Sequence, residues 1–307
     1  MRRKAAYGRT VRALLAGCVL LAAGLAGIVV HYTSVVGEKD RTIAALSSRM
    51  AEKDRTIASL NLQILAKDQT ISLLNSQVDQ LQSRLRSYTD GYERLRKKVS
   101  LRLGEGDVTS LITPWEWRVR ETVQTITGGW SNPQDWSECW RDIKAMYTWV
   151  RTNIRYGEDG PYPVLPHHPS EDLLDFRREV YQFPEETLDL REGDCEDMAI
   201  LLCSMVRSYT GMKAECIAIK GRGGGHMAVQ VPVSGYKLVI LDPAGGYYSS
   251  DLLGNIVFNS ITDEISRWLD YWRGELGSDV RVTRVFSDYI DRTFSSTNDY
   301  VLWMYTR

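Results

Sequence analysis

The apolar positions change period along the chain, and each change predicts a different element. Ala13 to Val30 is an unbroken run of eighteen uncharged, mostly apolar residues. That is about the length at which a helix crosses a hydrocarbon core. From Glu38 a fourteen-residue repeat begins: Glu38-Lys-Asp-Arg-Thr-Ile-Ala44, Glu52-Lys-Asp-Arg-Thr-Ile-Ala58, then Lys67-Asp-Gln-Thr-Ile71. Read as heptads, the a positions are Ile43, Met50, Ile57, Ile64, Ile71, Val78, Leu85, Tyr92 and Val99. The d positions are Leu46, Lys53, Leu60, Lys67, Leu74, Leu81, Tyr88, Leu95 and Arg102. Every a site is apolar or aromatic, which predicts a coiled coil. β-Branched residues at a with Leu at d favour a parallel dimer, and the lysines at d restrict its register. A second copy of the chain is therefore the expected partner through this segment.

Beyond Gly104-Glu-Gly106 the pattern becomes that of a packed domain. Pro114 to about Thr127 and Asp135 to Ile154 read as helices, with their tryptophans on the core face. Tyr156 to Ser170, with two glycines and four prolines, reads as loop. Met198, Ala199, Leu201, Leu202, Met205 and Val206 line a helix that opens at Asp194-Cys195 and stops at Gly211. The period then shortens to two. Ala214–Ile219, His226–Val231 and Lys237–Leu241 read as strands, with Pro232-Val-Ser-Gly235 as the turn between the last two. Ile261 to Leu276 is an amphipathic helix, and Val280–Phe286 and Tyr300–Tyr305 read as strands. The expected fold is α+β: N-terminal helices and an antiparallel sheet, preceded by a transmembrane helix and a long coiled coil. The expected parts are a basic tail at 1–12, a membrane span at 13–32, a stalk at 38–103 and a globular domain at 113–307.

Charge orients this arrangement. Residues 1–12 hold Arg2, Arg3, Lys4, Arg9 and Arg12 and no acid, while the whole chain is −1. The positive flank places the N-terminus in the cytoplasm and the domain outside, as a single-pass protein of the cell membrane. The alternative is a cleaved signal peptide ending at Gly24-Leu25-Ala26. No basic patch interleaved with aromatics occurs, so nucleic acid is not an expected partner. The five cysteines, Cys18, Cys139, Cys195, Cys203 and Cys216, form no C-x-x-C pair, so zinc-finger and thioredoxin readings have no support. A disulfide among Cys139, Cys203 and Cys216 stays open.

Cys195 is different in kind. It sits in the first turn of its helix, at the positive end of the dipole, where a thiolate is favoured. A thiol nucleophile needs a base, and the base needs an orienting acceptor. Of four histidines, only His226 opens a strand, after Gly223-Gly224-Gly225, whose missing side chains leave room for a substrate backbone. A hairpin symmetric about Ser234 places His226 directly opposite Asp242, with Cβ atoms about 4.5–5.5 Å apart. The candidate site is Cys195, His226 and Asp242.

These residues resemble the transglutaminase-like superfamily of cysteine enzymes. The matching motifs are Gly193-Asp-Cys-Glu-Asp197 with Ala199, Gly211-Met-Lys-Ala214, Gly225-His-Met-Ala228 and Leu241-Asp-Pro243. Upstream, Ile143–Tyr156 and Phe183–Leu188 look like the helix and lead-in segment of such domains. The resemblance implies a papain-like core with Cys195 as nucleophile, His226 as base then acid, and Asp242 as orienter. The family name does not choose the reaction, since it covers cross-linkers, peptidases, de-amidating enzymes and members without activity. A peptidase or amidase acting on a protein or peptide is the expected reading, because no second substrate site for an amine is visible in the sequence. A cross-linking transamidase and an inert binding or structural module are the alternatives the family also contains. No cofactor is required by this chemistry. Asp194, Glu196 and Asp197 nevertheless crowd Cys195 with negative charge, which opposes a thiolate. They are either helix caps or, at Asp194 and Glu196, a calcium site like that of the calcium-dependent peptidases of the superfamily.

Overall fold

The computed structural model describes residues 2–171 and 174–307, and the side chains from Thr10 onward within that range; Met1 of the basic tail lies outside it. The chain divides into two compact units, Met1–Ser87 and Tyr88–Arg307.

The first unit is helix. It belongs to α1 (Arg2–Arg102), which no proline interrupts. Among the described residues this is the one helix long and apolar enough to cross a membrane. Its heptad residues, including Ile43, Leu46, Ile57, Leu60, Ile71 and Leu74, are exposed.

The second unit begins with the last turns of α1. Tyr92 donates to Pro166 O at 2.6 Å, and the Arg96 guanidinium donates to His167 Nδ1 at 2.6 Å. Two helices follow, α2 (Trp117–Thr127) and α3 (Trp136–Asn153). Each is capped by an acid, Glu116 and Asp135, whose carboxylate accepts from the first free backbone N–H groups. Trp115 and Trp136 are exposed, contrary to the expected core role, because these caps start the helices at Trp117 and Trp136 and leave both indoles outside the buried stripe. The loop after α3 carries β1 (Arg155–Tyr156), β2 (Tyr162–Val164) and β3 (Asp175–Arg177). β2 pairs with β3, and β1 pairs in parallel with β4 (Glu192–Gly193), beyond the short α4 (Pro184–Leu190).

α5 (Cys195–Thr210) is the centre of the unit. Met198 through Cys203, with Met205 and Val206, are all buried, as in a helix enclosed on every side. Gly211 ends it in the left-handed conformation at φ 64°, and its N–H bonds Arg207 O. The sheet follows: β5 (Glu215–Gly221), β6 (Gly224–Val233), β7 (Lys237–Asp242), β8 (Tyr247–Tyr248), β9 (Asn259–Ser260), then α6 (Ile261–Leu276), β10 (Arg281–Ser287) and β11 (Ile290–Thr293). The strand order is β11-β10-β5-β6-β7-β8, all antiparallel, with β9 also on β7.

Alternate residues point to opposite faces of this sheet. Cys216, Met227, Val229, Val239 and Leu241 join the core formed with α2, α3 and α5. Ile217, Ile219, Ala228, Leu238 and Ile240 join a second core with α6 and α7 (Thr297–Tyr305). The α+β expectation holds, with helices on both faces of the sheet. The run Tyr300–Tyr305 is helix, not strand. Ser296 accepts from Asp299 N as its cap, and Tyr300 and Met304, one turn apart, are the buried pair. All five cysteines are free thiols.

Candidate active site

The loop Arg191–Asp194 delivers Cys195 to a cleft. Arg191 ends α4 at φ 54°, an unusual conformation for a side-chain-bearing residue, and Gly193 lets the chain pass close to Asp197. Asp197 then braces the start of α5, its Oδ2 accepting from Asp194 N at 3.3 Å and its Oδ1 from Gln182 N at 2.7 Å. The resulting cleft, about 410 Å3, is lined by Tyr156, Tyr181, Cys195, Gly225, His226 and Lys220 among others.

His226 and Asp242 meet, by a different register from the expected one. β6 and β7 pair Val229 with Leu241 and Val231 with Val239, so the hairpin is centred on Gly235, not Ser234. The cause is the turn: Gly235 and Tyr236 both take positive φ, 77° and 60°, and Pro232 and Val233 stay in the strand. In this register Asp242 lies level with Ala228, two residues from His226 on the same face. A diagonal pair on one face is within reach of side chains of this length. His226 Nε2 lies 2.9 Å from both Asp242 oxygens. Both side chains are buried.

Asp242 is held by more than His226. Gly245 N donates to Oδ1 at 2.8 Å. The indoles of Trp268 and Trp272 donate to Oδ2 at 3.0 and 2.9 Å. These donors occupy both oxygens of the buried carboxylate and satisfy it without a neighbouring cation. With Nε2 on Asp242, the free ring nitrogen of His226 is Nδ1. The tryptophans were legible in the sequence only as the apolar face of α6. Their spacing, one turn apart, was the available signal.

Gly223 corrects another expectation. A Cβ there would collide with Glu275 O at the C-terminal end of α6, and Gly223 N donates to Leu276 O at 3.0 Å. Its missing side chain therefore serves packing on α6. Gly224, at φ 139°, and Gly225 are the glycines that line the cleft.

The acids around Cys195 turn out to have separate roles. Asp194 is the N-cap of α5, and Asp197 at N3 closes a capping box with it by accepting from Asp194 N. Glu196 Oε2 accepts the Cys195 thiol at 3.1 Å, and the described residues give no hydrogen bond from that thiol to His226. Burial, with the charges of Glu196 and Asp194, pushes the Cys195 thiol well up. Burial and Glu196 push Asp194 up to about 9, and burial pushes Asp197 up to about 8. Asp194 Oδ1 is buried without a hydrogen-bond partner. Ligand atoms of Asp194, Cys195 and Glu196 lie within 4.8 Å of one another.

These shifts predict a pH dependence. A carboxyl whose folded pKa exceeds its unfolded value holds its proton more tightly when folded. Its contribution is present below the unfolded value, about 4, and is lost as pH rises toward 8 and 9. Asp194→Asn is therefore expected to raise Tm by a few degrees at pH 8 and by less at pH 5. Thermal unfolding of the metal-free full-length protein checks this. An identical parental slope of Tm with pH would contradict it.

Residues 134–248 match the family model of the transglutaminase-like domain. No curated protein matches the chain. Among solved structures it is similar to Legionella pneumophila LapG, at 15% identity over 60% of this chain and 97% of that one, with TM-score 0.31. The calcium-bound form of LapG matches at 14% identity over the same shares, with TM-score 0.29. A candidate cysteine protease from Cytophaga hutchinsonii matches at 15% identity over 46% of this chain, with TM-score 0.27; the chain spans 43% of that protein's length. By the family match, residues 134–248 of this chain are a transglutaminase-like domain.

Proposed function

We propose that this chain is a membrane-anchored cysteine acyl-transfer enzyme that acts outside the cytoplasm and hydrolyses peptide or isopeptide amides. The observation that carries the reading is the buried His226–Asp242 pair at 2.9 Å, with His226 lining the same cleft as Cys195 at the N-terminus of α5. Asp242 fixes the imidazole by Nε2, leaving Nδ1 to take the Cys195 proton. The sulfur attacks the substrate carbonyl carbon, and the amide C–N bond breaks to leave a thioester. The imidazolium returns its proton to the departing amine. Water, deprotonated by the same imidazole, then releases the acid and restores the thiol. Turnover of a peptide library by the full-length protein tests this. Loss of turnover in Cys195→Ala is expected; parental turnover in that variant would overturn it. Incorporation of an added primary amine in place of water would assign transamidation instead.

Asp194 and Glu196 fit a hard cation. They offer carboxylate oxygens close together, and Asp194 Oδ1 is buried without a partner, a cost that a ligand would remove. These two carboxylates would hold calcium. A bound cation supplies positive charge where the acids otherwise oppose a thiolate. Both arms are measurable as binding: millimolar calcium is expected to raise the Tm of the parent protein and to leave that of Asp194→Asn unchanged.

The apolar run 13–30 supports anchoring, and its five flanking cations support a cytoplasmic N-terminus. The exposed heptad face of α1 supports pairing with a second copy. Lys53→Leu with Lys67→Leu is expected to strengthen that dimer at least tenfold, since each replaces a buried charge at d by the favoured residue. Sedimentation of the detergent-solubilised protein checks this. A parent that sediments as a monomer at every concentration would contradict it.

A further inference from the structure

We infer that Trp272 and Trp268 of α6 are positioning residues for the His226–Asp242 pair, an inference that rests on the nucleophile reading above. Helix α6 lies beyond residues 134–248, outside the matched family segment. Yet it touches the pair from two directions.

Trp272 makes two contacts at once. Its indole N–H donates to Asp242 Oδ2 at 2.9 Å, and its ring lies over the His226 imidazole with centroids 3.7 Å apart. Trp268, fully buried, donates to the same oxygen at 3.0 Å, while its ring stands 6.4 Å from His226. With Gly245 N on Oδ1 and His226 Nε2 shared by both oxygens, rotation of the carboxylate would break several bonds. Indole nitrogens only donate, so they pair with the acceptor oxygens of Asp242 and cannot compete with it for the His226 proton. The Trp272 ring, tilted 34° to the imidazole, also shields the His226–Asp242 contact from water, which strengthens it.

The helix is itself fastened to both loops that carry the pair. The β5–β6 turn leading into His226 docks on its C-terminal end: Gly223 N donates to Leu276 O, and Gly221 and Gly223 have no room for a Cβ against the Leu276 and Glu275 carbonyls. The turn following Asp242 docks on its middle, where Tyr271 donates to Gly245 O at 2.7 Å. α6 therefore fixes the distance and angle between base and orienter. Reacting groups displaced by even about 1 Å lose on the order of a hundredfold in rate.

The test uses the full-length protein in detergent and needs no substrate. Trp272→Phe keeps a ring over the imidazole and removes the donor. The rate of Cys195 alkylation by iodoacetamide, followed by mass spectrometry, is expected to fall about tenfold in this variant. In an Asp242→Asn background the same substitution is expected to have no further effect, because the donor acts through Asp242. Trp303→Phe, which alters a tryptophan stacked on Arg307, is expected to react as the parent does. A second readout follows the His226 ring proton signal by NMR, assigned among four histidines with His226→Gln. Trp268→Phe is expected to move that signal. Parental alkylation in Trp272→Phe, an equal loss in the Asp242→Asn background, or an unmoved His226 signal in Trp268→Phe would overturn the inference. If Cys195 of the parent fails to alkylate while the His226 signal moves, the nucleophile reading fails and the positioning inference stands.

Discussion

Asp242→Asn is expected to lower kcat for amide turnover by about 10^3- to 10^4-fold, with little change in KM. The reason is the donor set. Asp242 accepts from His226 Nε2, two indole N–H groups and Gly245 N. An asparagine offers one acceptor oxygen, and its NH2 would face donors on the other side. The imidazole then loses the partner that selects its tautomer, so Nδ1 no longer presents a lone pair to the thiol. The substitution is nearly isosteric, so a folded protein with intact substrate affinity and low kcat is the expected combination. Steady-state kinetics beside a circular dichroism spectrum measure both. A variant within tenfold of the parent kcat would remove Asp242 from the mechanism.

Glu215→Ala is expected to cost about 3–5 kcal/mol of stability, the penalty for leaving one partner of a buried ion pair uncompensated. The Glu215 side chain has no exposure, and that of Arg307 has 14%. Arg307 Nη1 donates to Glu215 Oε2 at 2.8 Å, and Nη2 bonds the other oxygen. Gln230 Nε2 and Tyr289 OH complete the carboxylate at 2.7 and 2.6 Å, and Tyr300 OH bonds Gln230 Oε1 at 2.7 Å. One acid thus joins β5, β6, the β10–β11 turn and Arg307, just beyond α7, on the face of the sheet opposite α5. The urea midpoint by tryptophan fluorescence should drop clearly, and Glu215→Gln should recover part of the loss through its bonds to Arg307 and Tyr289. An unchanged midpoint in the alanine variant would show that this network contributes nothing.

What the sequence displayed and what it concealed follow a physical line. α5 was legible because a run of apolar residues between an acidic start and Gly211 admits few other conformations, and Cys195 comes with it. The encounter of His226 with Asp242 was legible as a shared face, since a two-residue change of partner preserves the side on which both point. The register was not, because it depends on Tyr236 adopting φ 60°, a conformation that residue type disfavours. Trp268 and Trp272 read only as amphipathic periodicity; their hydrogen bonds require knowing which strand α6 covers. Tyr300–Tyr305 failed as a strand because apolar residues that short fit either period. The division of labour among Asp194, Glu196 and Asp197 depends on single-bond rotations that spacing cannot express.

The central claim is that Cys195 forms a thioester with the acyl part of an amide or ester substrate. Its most direct measurement is mass spectrometry of the intact protein, acid-quenched early in reaction with an activated peptide ester. The account predicts one added acyl mass on Cys195 in the parent and none in Cys195→Ala or His226→Ala. An adduct on Cys139, Cys203 or Cys216, or an adduct that forms equally well without His226, would contradict it.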